Sequence, residues 1–189
     1  MRFILLVLMH IALASAVFAQ AKTATPKEGT TTAPKSSPSP ANAGPKKEWK
    51  EAFDDWILAC AQADAGQKSC AISQTLTNTP SRQLIGAISI GKDKAGKVVV
   101  NLQTPLGFAV NEGIKLTIDT QPGIALPVRT CLANGCLGIL ELDQPTIGKL
   151  QKASQLAMSL QSLQATPVVV KFSAKGLGKA LDQLLKEGT

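Results

Sequence analysis

The chain has 189 residues, 44% hydrophobic and 17% charged, enough for one domain with a substantial core and too few for two. Lys and Arg number 20 against 13 Asp and Glu, a formal charge of +7, and there is no Tyr. The one histidine is His10, inside the first apolar run. A chain that loses that run therefore holds no imidazole, which excludes Ser-His-Asp and Cys-His nucleophile systems and His-ligated metal sites.

Arg2 and the apolar run Phe3 to Val17 read as a secretory signal, about as long as a signal core and short of the roughly 20 residues of a membrane span. Val17 and Ala19 at the −3 and −1 positions place cleavage after Ala19, with Ala16 as second choice. No cysteine follows directly, so no lipid is expected there. No later stretch is long and apolar enough to span a bilayer. The expected location is the periplasm or the exterior.

Residues 20–47 change character. Pro26, Pro34, Pro38, Pro40 and Pro45 punctuate a run of Ala, Thr, Ser, Gly and Lys without an aromatic side chain. Such a segment cannot bury enough apolar surface to offset its ordering entropy and is expected to be a disordered tether. Lys22, Lys27, Lys35, Lys46 and Lys47 against Glu28 give it +4, while residues 48–189 carry 14 basic and 12 acidic side chains, +2, and Arg2 completes the total. The basicity thus points to solvation or loose attraction to an anionic envelope or host surface. Basic residues without interleaved aromatics argue against nucleic acid.

From residue 48 onward the dominant period is two, the mark of strands with one buried face. Trp56, Leu58 and Cys60 form the first inward set, followed by Cys70 with Ile72, and by Ile88 and Ile90 around Ser89. Val98, Val100 and Leu102 come next, then Ile114, Leu116 and Ile118. Ala125 to Cys131 reads as a strand at an edge or carrying a bulge because of Pro127. Asp143 is placed to cap a short helix with Pro145 in its first turn and Ile147 and Leu150 on one face. Leu156, Met158 and Leu160, then Val168, Val170 and Phe172, complete the strands. Leu177, Leu181, Leu184 and Leu185 fall at helical spacing, closed by Gly188. Many short strands separated by Gly, Pro and Asn argue for an antiparallel sandwich or barrel.

Four cysteines in an exported chain imply two bridges, for which three pairings exist. Cys131 and Cys136 flank Asn134-Gly135, a strong reverse-turn pair, and Cys60 and Cys70 flank a polar loop with Asp64, Ala65 and Gly66. The expected bridges are therefore between neighbours, Cys60 with Cys70 and Cys131 with Cys136, each contributing roughly 2 to 3 kcal/mol by loop closure. The spacing lacks the C-x-x-C pairs of a zinc site or a thioredoxin-like redox site.

Trp56 to Cys60, Cys70, Pro105-Leu106-Gly107 followed by Glu112-Gly113, the knuckle Cys131 to Cys136, and Phe172 to Leu177 leading into Ala180 and Leu181 together resemble the invasion-associated locus B family of Gram-negative bacteria, from about Phe53 to Leu185. The resemblance implies an exported, immunoglobulin-like β-sandwich linked to host-cell invasion. It supplies no catalytic residues; only the four cysteines carry over.

Other motifs carry less. Ser89 and Lys92 match S-x-x-K, but Ser89 reads as strand and the companion S-D-N and K-T-G elements are missing. Gly176-Leu177-Gly178 lacks the third glycine of a dinucleotide site and reads as a tight turn into the last helix. Asp54 and Asp55 are neighbours that a strand would point to opposite faces. Lys92, Lys94 and Lys97 read as a solvated hairpin tip or a contact for acidic polymer. The expectation is thus an all-β, immunoglobulin-like antiparallel sandwich with a short helix and a C-terminal amphipathic helix. It is expected to act as a non-enzymatic envelope binding protein with no catalytic residues, metal or cofactor, partnered by an unidentified protein or an anionic surface. A periplasmic structural or chaperone-like accessory is the alternative, using edge strands such as the one carrying Pro127.

Overall fold

The structure, a computed structural model, describes residues 47–62 and 66–187. The expected signal, the tether up to residue 46, Asp64, Ala65 and Gly188 lie outside the described residues. The described elements are β1 (Lys47–Phe53), β2 (Trp56–Gln62), β3 (Lys68–Thr77), β4 (Leu84–Lys92), β5 (Val98–Thr104), β6 (Ile114–Ile118), β7 (Ile124–Leu126), β8 (Val128–Leu132), β9 (Gly135–Glu141), α1 (Gln144–Gln151), β10 (Gln155–Gln161), β11 (Pro167–Ser173) and α2 (Leu177–Lys186).

The strands form two antiparallel sheets, one in the order β1-β2-β3-β4-β5-β9-β8 and the other β11-β10-β6-β7. The period-two sets face inward: Trp56, Leu58, Ile72, Ile88, Ile90, Val100, Leu102, Ile114, Leu116 and Met158 are fully buried. Each such aliphatic side chain contributes roughly 1.5–3 kcal/mol by leaving water. The sheets approach each other closely at two glycines. A Cβ on Gly86 would meet Met158 and Val170, and one on Gly138 would meet Ile114 and Leu126. The outcome is an all-β antiparallel sandwich with two helices, the one of the two architectures allowed by the patterning that the family resemblance implies, its larger sheet opening as a five-strand meander.

Both helices form where expected. Asp143 Oδ1 accepts from the Thr146 N–H at 2.9 Å, Pro145 sits in the first turn, and Ile147 and Leu150 are buried. On α2 the buried residues are Leu177, Ala180, Leu181 and Leu184, with Leu185 partly covered. This helix packs on β1, β2, β3 and α1. Gly176 turns the chain into it at φ 86°, where a Cβ would run into the Phe53 carbonyl.

Four local expectations are corrected. Ala125 to Cys131 is not one strand: β7 belongs to the smaller sheet and β8 to the larger, and Pro127 is the junction between them. With no N–H and a fixed φ, proline cannot continue a ladder, so the chain changes sheets there. Val168 is 40% exposed while Val170 and Phe172 are buried, because Val168 lies near the open start of β11. The turn between β8 and β9 is centred on Ala133 and Asn134, and Gly135 already opens β9, where a Cβ would collide with the Thr104 carbonyl of β5. Finally, β1 begins at Lys47, inside the expected tether. Its sequence KEWKEAF has no apolar alternation because it is a charged edge strand that buries little.

Candidate functional site: the loop end and the two disulfides

The apparent catalytic motifs do not assemble. Ser89 and Lys92 are three residues apart on β4 and so point to opposite faces. Ser89 Oγ accepts from Asn101 Nδ2 at 3.5 Å, while Lys92 Nζ donates to the carbonyls of Leu185 and Glu187 at 3.1 and 2.6 Å, capping the end of α2. Lys97 pairs with Glu141 at 2.8 Å, leaving Lys94 exposed at the hairpin tip. The three lysines therefore do not form one basic cluster. Asp54 and Asp55 form the β1–β2 turn. The first pairs with Lys175 at 3.5 Å, and the second accepts from Ser173 Oγ at 2.6 Å. Gly176 and Gly178 serve close packing, the second beneath the Gln151 carbonyl.

A cleft of about 410 Å³ is lined by Asp119, Ser154, Leu156, Lys171, Phe172 and Lys175. One oxygen of its single carboxylate is fully engaged: Asp119 Oδ1 accepts from Ser154 N–H at 2.8 Å, Ser154 Oγ at 2.7 Å and Gln155 N–H at 2.9 Å. The Ser154 hydroxyl and these two N–H groups hold the Asp119 carboxyl below the usual carboxylate range. Asp119 is thus a splice between the β6–β7 turn and the start of β10.

Both expected bridges form. Cys60 and Cys70 are register partners on β2 and β3, Cα atoms 4.1 Å apart. Cys131 and Cys136 are register partners on β8 and β9, 3.9 Å apart. Their surroundings differ. The first bridge lies inside the large sheet, with β1 on one side, where Trp49 is opposite Cys60, and β4 on the other. Cys60 and Cys70 are buried, and a Glu187 carboxylate oxygen sits within 4.8 Å of both sulfurs. Glu187 is held there by an ion pair with Lys68 and by Gln183 Nε2 at 2.9 Å. The Lys68 ammonium also lies 4.9 Å from the centroid of Trp49. Because the two sulfurs are bonded to each other, this group is a sealed bridge and not a thiolate metal site. The second bridge is at the margin: Cys136 is 2% exposed, but Cys131 is exposed on β8, the last strand of the sheet.

That second bridge belongs to one end of the sandwich. There β5 stops at Thr104, paired with Cys136, and Gln103 Nε2 donates to the Asn134 carbonyl at 3.2 Å. The segment after β5 is tied to the β10–β11 turn by the Phe108–Ser162 bridge and by Ala109 N–H to Gln161 O at 2.8 Å. These three connections, with the last residue of β8, carry Leu106, Val110, Leu132 and Leu163, exposed by 56, 47, 57 and 69%. The sequence marks the cysteines of this end, and Leu106 and Leu132 only as parts of family motifs, but not these apolar side chains as an exposed set, because an isolated leucine in a loop carries no periodic signal. It also missed Gln74, whose signal was a polar residue in an inward register position of β3 between Ile72 and Leu76.

Fold and site together define a disulfide-clamped antiparallel β-sandwich that exposes apolar side chains on the connections at one end. The family model described as invasion associated locus B (IalB) protein matches residues 56–185, and the chain belongs to that family. It is 30% identical over 152 residues to invasion protein B of Bartonella bacilliformis, covering 79% of this chain and 76% of that one. To an invasion protein B homologue of Brucella abortus it is 29% identical over 136 residues, 71% of this chain and 78% of the relative. The crystal structure of invasion associated protein B from Bartonella henselae matches with a TM-score of 0.64 at 23% identity, over 72% of this chain and 95% of that one, a likeness of fold.

Proposed function

We propose that the protein is an exported, non-enzymatic interaction module of the bacterial envelope that docks a protein partner through the loop end of its sandwich. The observation that carries this reading is the convergence of Leu106, Val110, Leu132 and Leu163 on connections tied to one another by backbone pairing and braced by Cys131–Cys136. Scattered exposed leucines are ordinary, whereas several on one braced surface are the usual composition of an interface centre. The names of the Bartonella and Brucella relatives support a role in invasion. The apolar run Phe3 to Val17 supports export to the periplasm or beyond.

Cell fractionation and crosslinking of the full chain test this reading. The expected result is a processed protein outside the cytosol whose specific crosslinked partner is lost on combined Leu106→Ser, Leu132→Ser and Leu163→Ser substitution. A cytosolic protein, or a partner retained by the folded triple variant, would overturn it.

The alternative, a periplasmic chaperone-like accessory, is favoured by a different edge from the one carrying Pro127. Ser162 N–H bonds Thr166 O, which fixes the alternation along the β10–β11 ladder and turns the N–H and C=O of Val169 and Lys171 away from β10. A client strand could pair there. Suppression of client aggregation that persists in the triple loop-end variant and is lost on Val169→Pro would favour this second reading.

A further inference from the structure

The two bridges are chemically inequivalent, and the difference follows from sheet order. Displacement at a disulfide requires a thiolate to approach one sulfur from the side opposite the other. For a bridge between neighbouring strands, that approach runs across the ladder, over the next strand outward. At Cys60 the next strand is β1, with Trp49 directly opposite, and at Cys70 it is β4, so both approaches run over a further strand. The Glu187 carboxylate and the end of α2 cover the same sulfurs, and the carboxylate repels an incoming anion. At Cys136 the next strand is β5, with Thr104 directly opposite and fully buried. At Cys131 no further strand follows among the described residues, because β8 is the edge of the sheet, and Cys131 is exposed. Of the four cysteines, Cys131 alone is both exposed and on an edge strand of the described sheet.

We propose that Cys131–Cys136 is a thiol–disulfide exchange site that accepts a thiolate at Cys131 and releases Cys136, and that Cys60–Cys70 is the permanent structural bridge. The step balances without a further oxidant. The incoming thiolate sulfur bonds Cys131 Sγ, the Cys131–Cys136 bond breaks, and its electron pair leaves on Cys136 Sγ, which takes a proton from water. The incoming thiol is oxidised to a mixed disulfide and Cys136 is reduced. In reverse, the Cys136 thiolate attacks Cys131 Sγ and expels the guest.

The ligand class is a thiol, from a small molecule or from a cysteine of a protein, and the same edge strand carries the exposed cation Arg129 two residues before Cys131. Exchange here is stoichiometric and differs from C-x-x-C chemistry, since the leaving sulfur is buried in the ladder and the attacked one stays outside. Reduction would leave the large sheet closed by its other pairings while releasing the hairpin that carries Leu132, so the loop end has two covalent states. This inference goes beyond the interaction role and does not depend on it.

The test uses the oxidised full-length chain with reduced glutathione as the thiol, acid quenching, alkylation and peptide mapping. The expected result is a glutathione adduct on Cys131, alkylated Cys136, and an intact Cys60–Cys70 bridge, the outer bridge opening at least about tenfold faster than the inner. As a second readout, oxidised glutathione should modify Cys131 in a Cys136→Ser variant at least about tenfold faster than Cys136 in a Cys131→Ser variant. Simultaneous opening of both bridges, prior opening of Cys60–Cys70, or an adduct on Cys136 would each overturn the assignment.

Discussion

The Gln74 side chain, on β3, completes the backbone hydrogen bonding of Ser173, 99 residues later at the end of β11. Its Oε1 accepts from the Ser173 N–H at 2.8 Å, while its Nε2 donates to the Asp55 carbonyl at 3.0 Å and to the Ser173 carbonyl at 3.3 Å. Trp56 Nε1 donates to the same Ser173 carbonyl at 2.9 Å. Ser173 faces away from β10 in the ladder, so without these side chains its N–H and C=O would lack strand partners. A buried amide and an indole thus terminate the edge of the small sheet and fasten it to the large one.

Replacing Gln74 with Leu keeps the volume and removes three bonds, leaving a part-buried N–H without a partner. The expected loss is about 1–3 kcal/mol, read as a lower guanidinium midpoint with an unchanged slope. An unchanged midpoint would show that water satisfies Ser173 equally well.

Gly176 occupies a left-handed backbone position against the Phe53 carbonyl. Gly176→Ala adds both conformational strain and a collision, so α2 must shift off the β1–β2 turn. A stability loss of at least about 2 kcal/mol is expected. Gly148→Ala on α1 is the control, since a Cβ there meets open space; helix propensity makes it neutral or slightly stabilising.

Lys92 caps two carbonyls at the end of α2. Lys92→Met preserves the aliphatic stem and removes the donor, at a cost of about 1 kcal/mol. Hydrogen exchange should quicken at Leu184 to Glu187 and remain unchanged in β5 and β9. A uniform change across the sheet would mean that Lys92 acts on global stability instead.

Acid should weaken the fold in a defined direction. Asp119, through Ser154 and Gln155, and Asp143, through Thr146, have carboxyl groups held below their ordinary values in the folded chain. A lowered folded-state value means that the stabilisation is present above the unfolded-state value of roughly 3.9. It is lost as pH falls through the folded-state value. The melting temperature should therefore decline below about pH 4. Asp119→Asn, which tolerates the left-handed backbone at φ 51°, should show a shallower decline. Parallel curves for parent and variant would remove Asp119 from the account.

Patterning along the chain determined what is local. Alternation at Val98 to Leu102 and at Ile114 to Ile118 specifies strands because neighbouring side chains must point to opposite faces. Asp143 followed by Pro145 specifies a helix start because the unpaired N–H groups there need an acceptor. The cysteine pairs were legible because each pair flanks a short polar connection that returns the chain on itself. Tertiary structure decided everything that depends on residues distant in sequence meeting in space. Pro127 divides two sheets, Lys92 caps a helix 93 residues away at Leu185, and Gln74 completes a strand from the opposite layer. The contrast between Cys131, open at an edge, and Cys60, enclosed between strands, is of the same kind: the order of strands in a sheet is set by which apolar faces pack together across the core, and no local period records it.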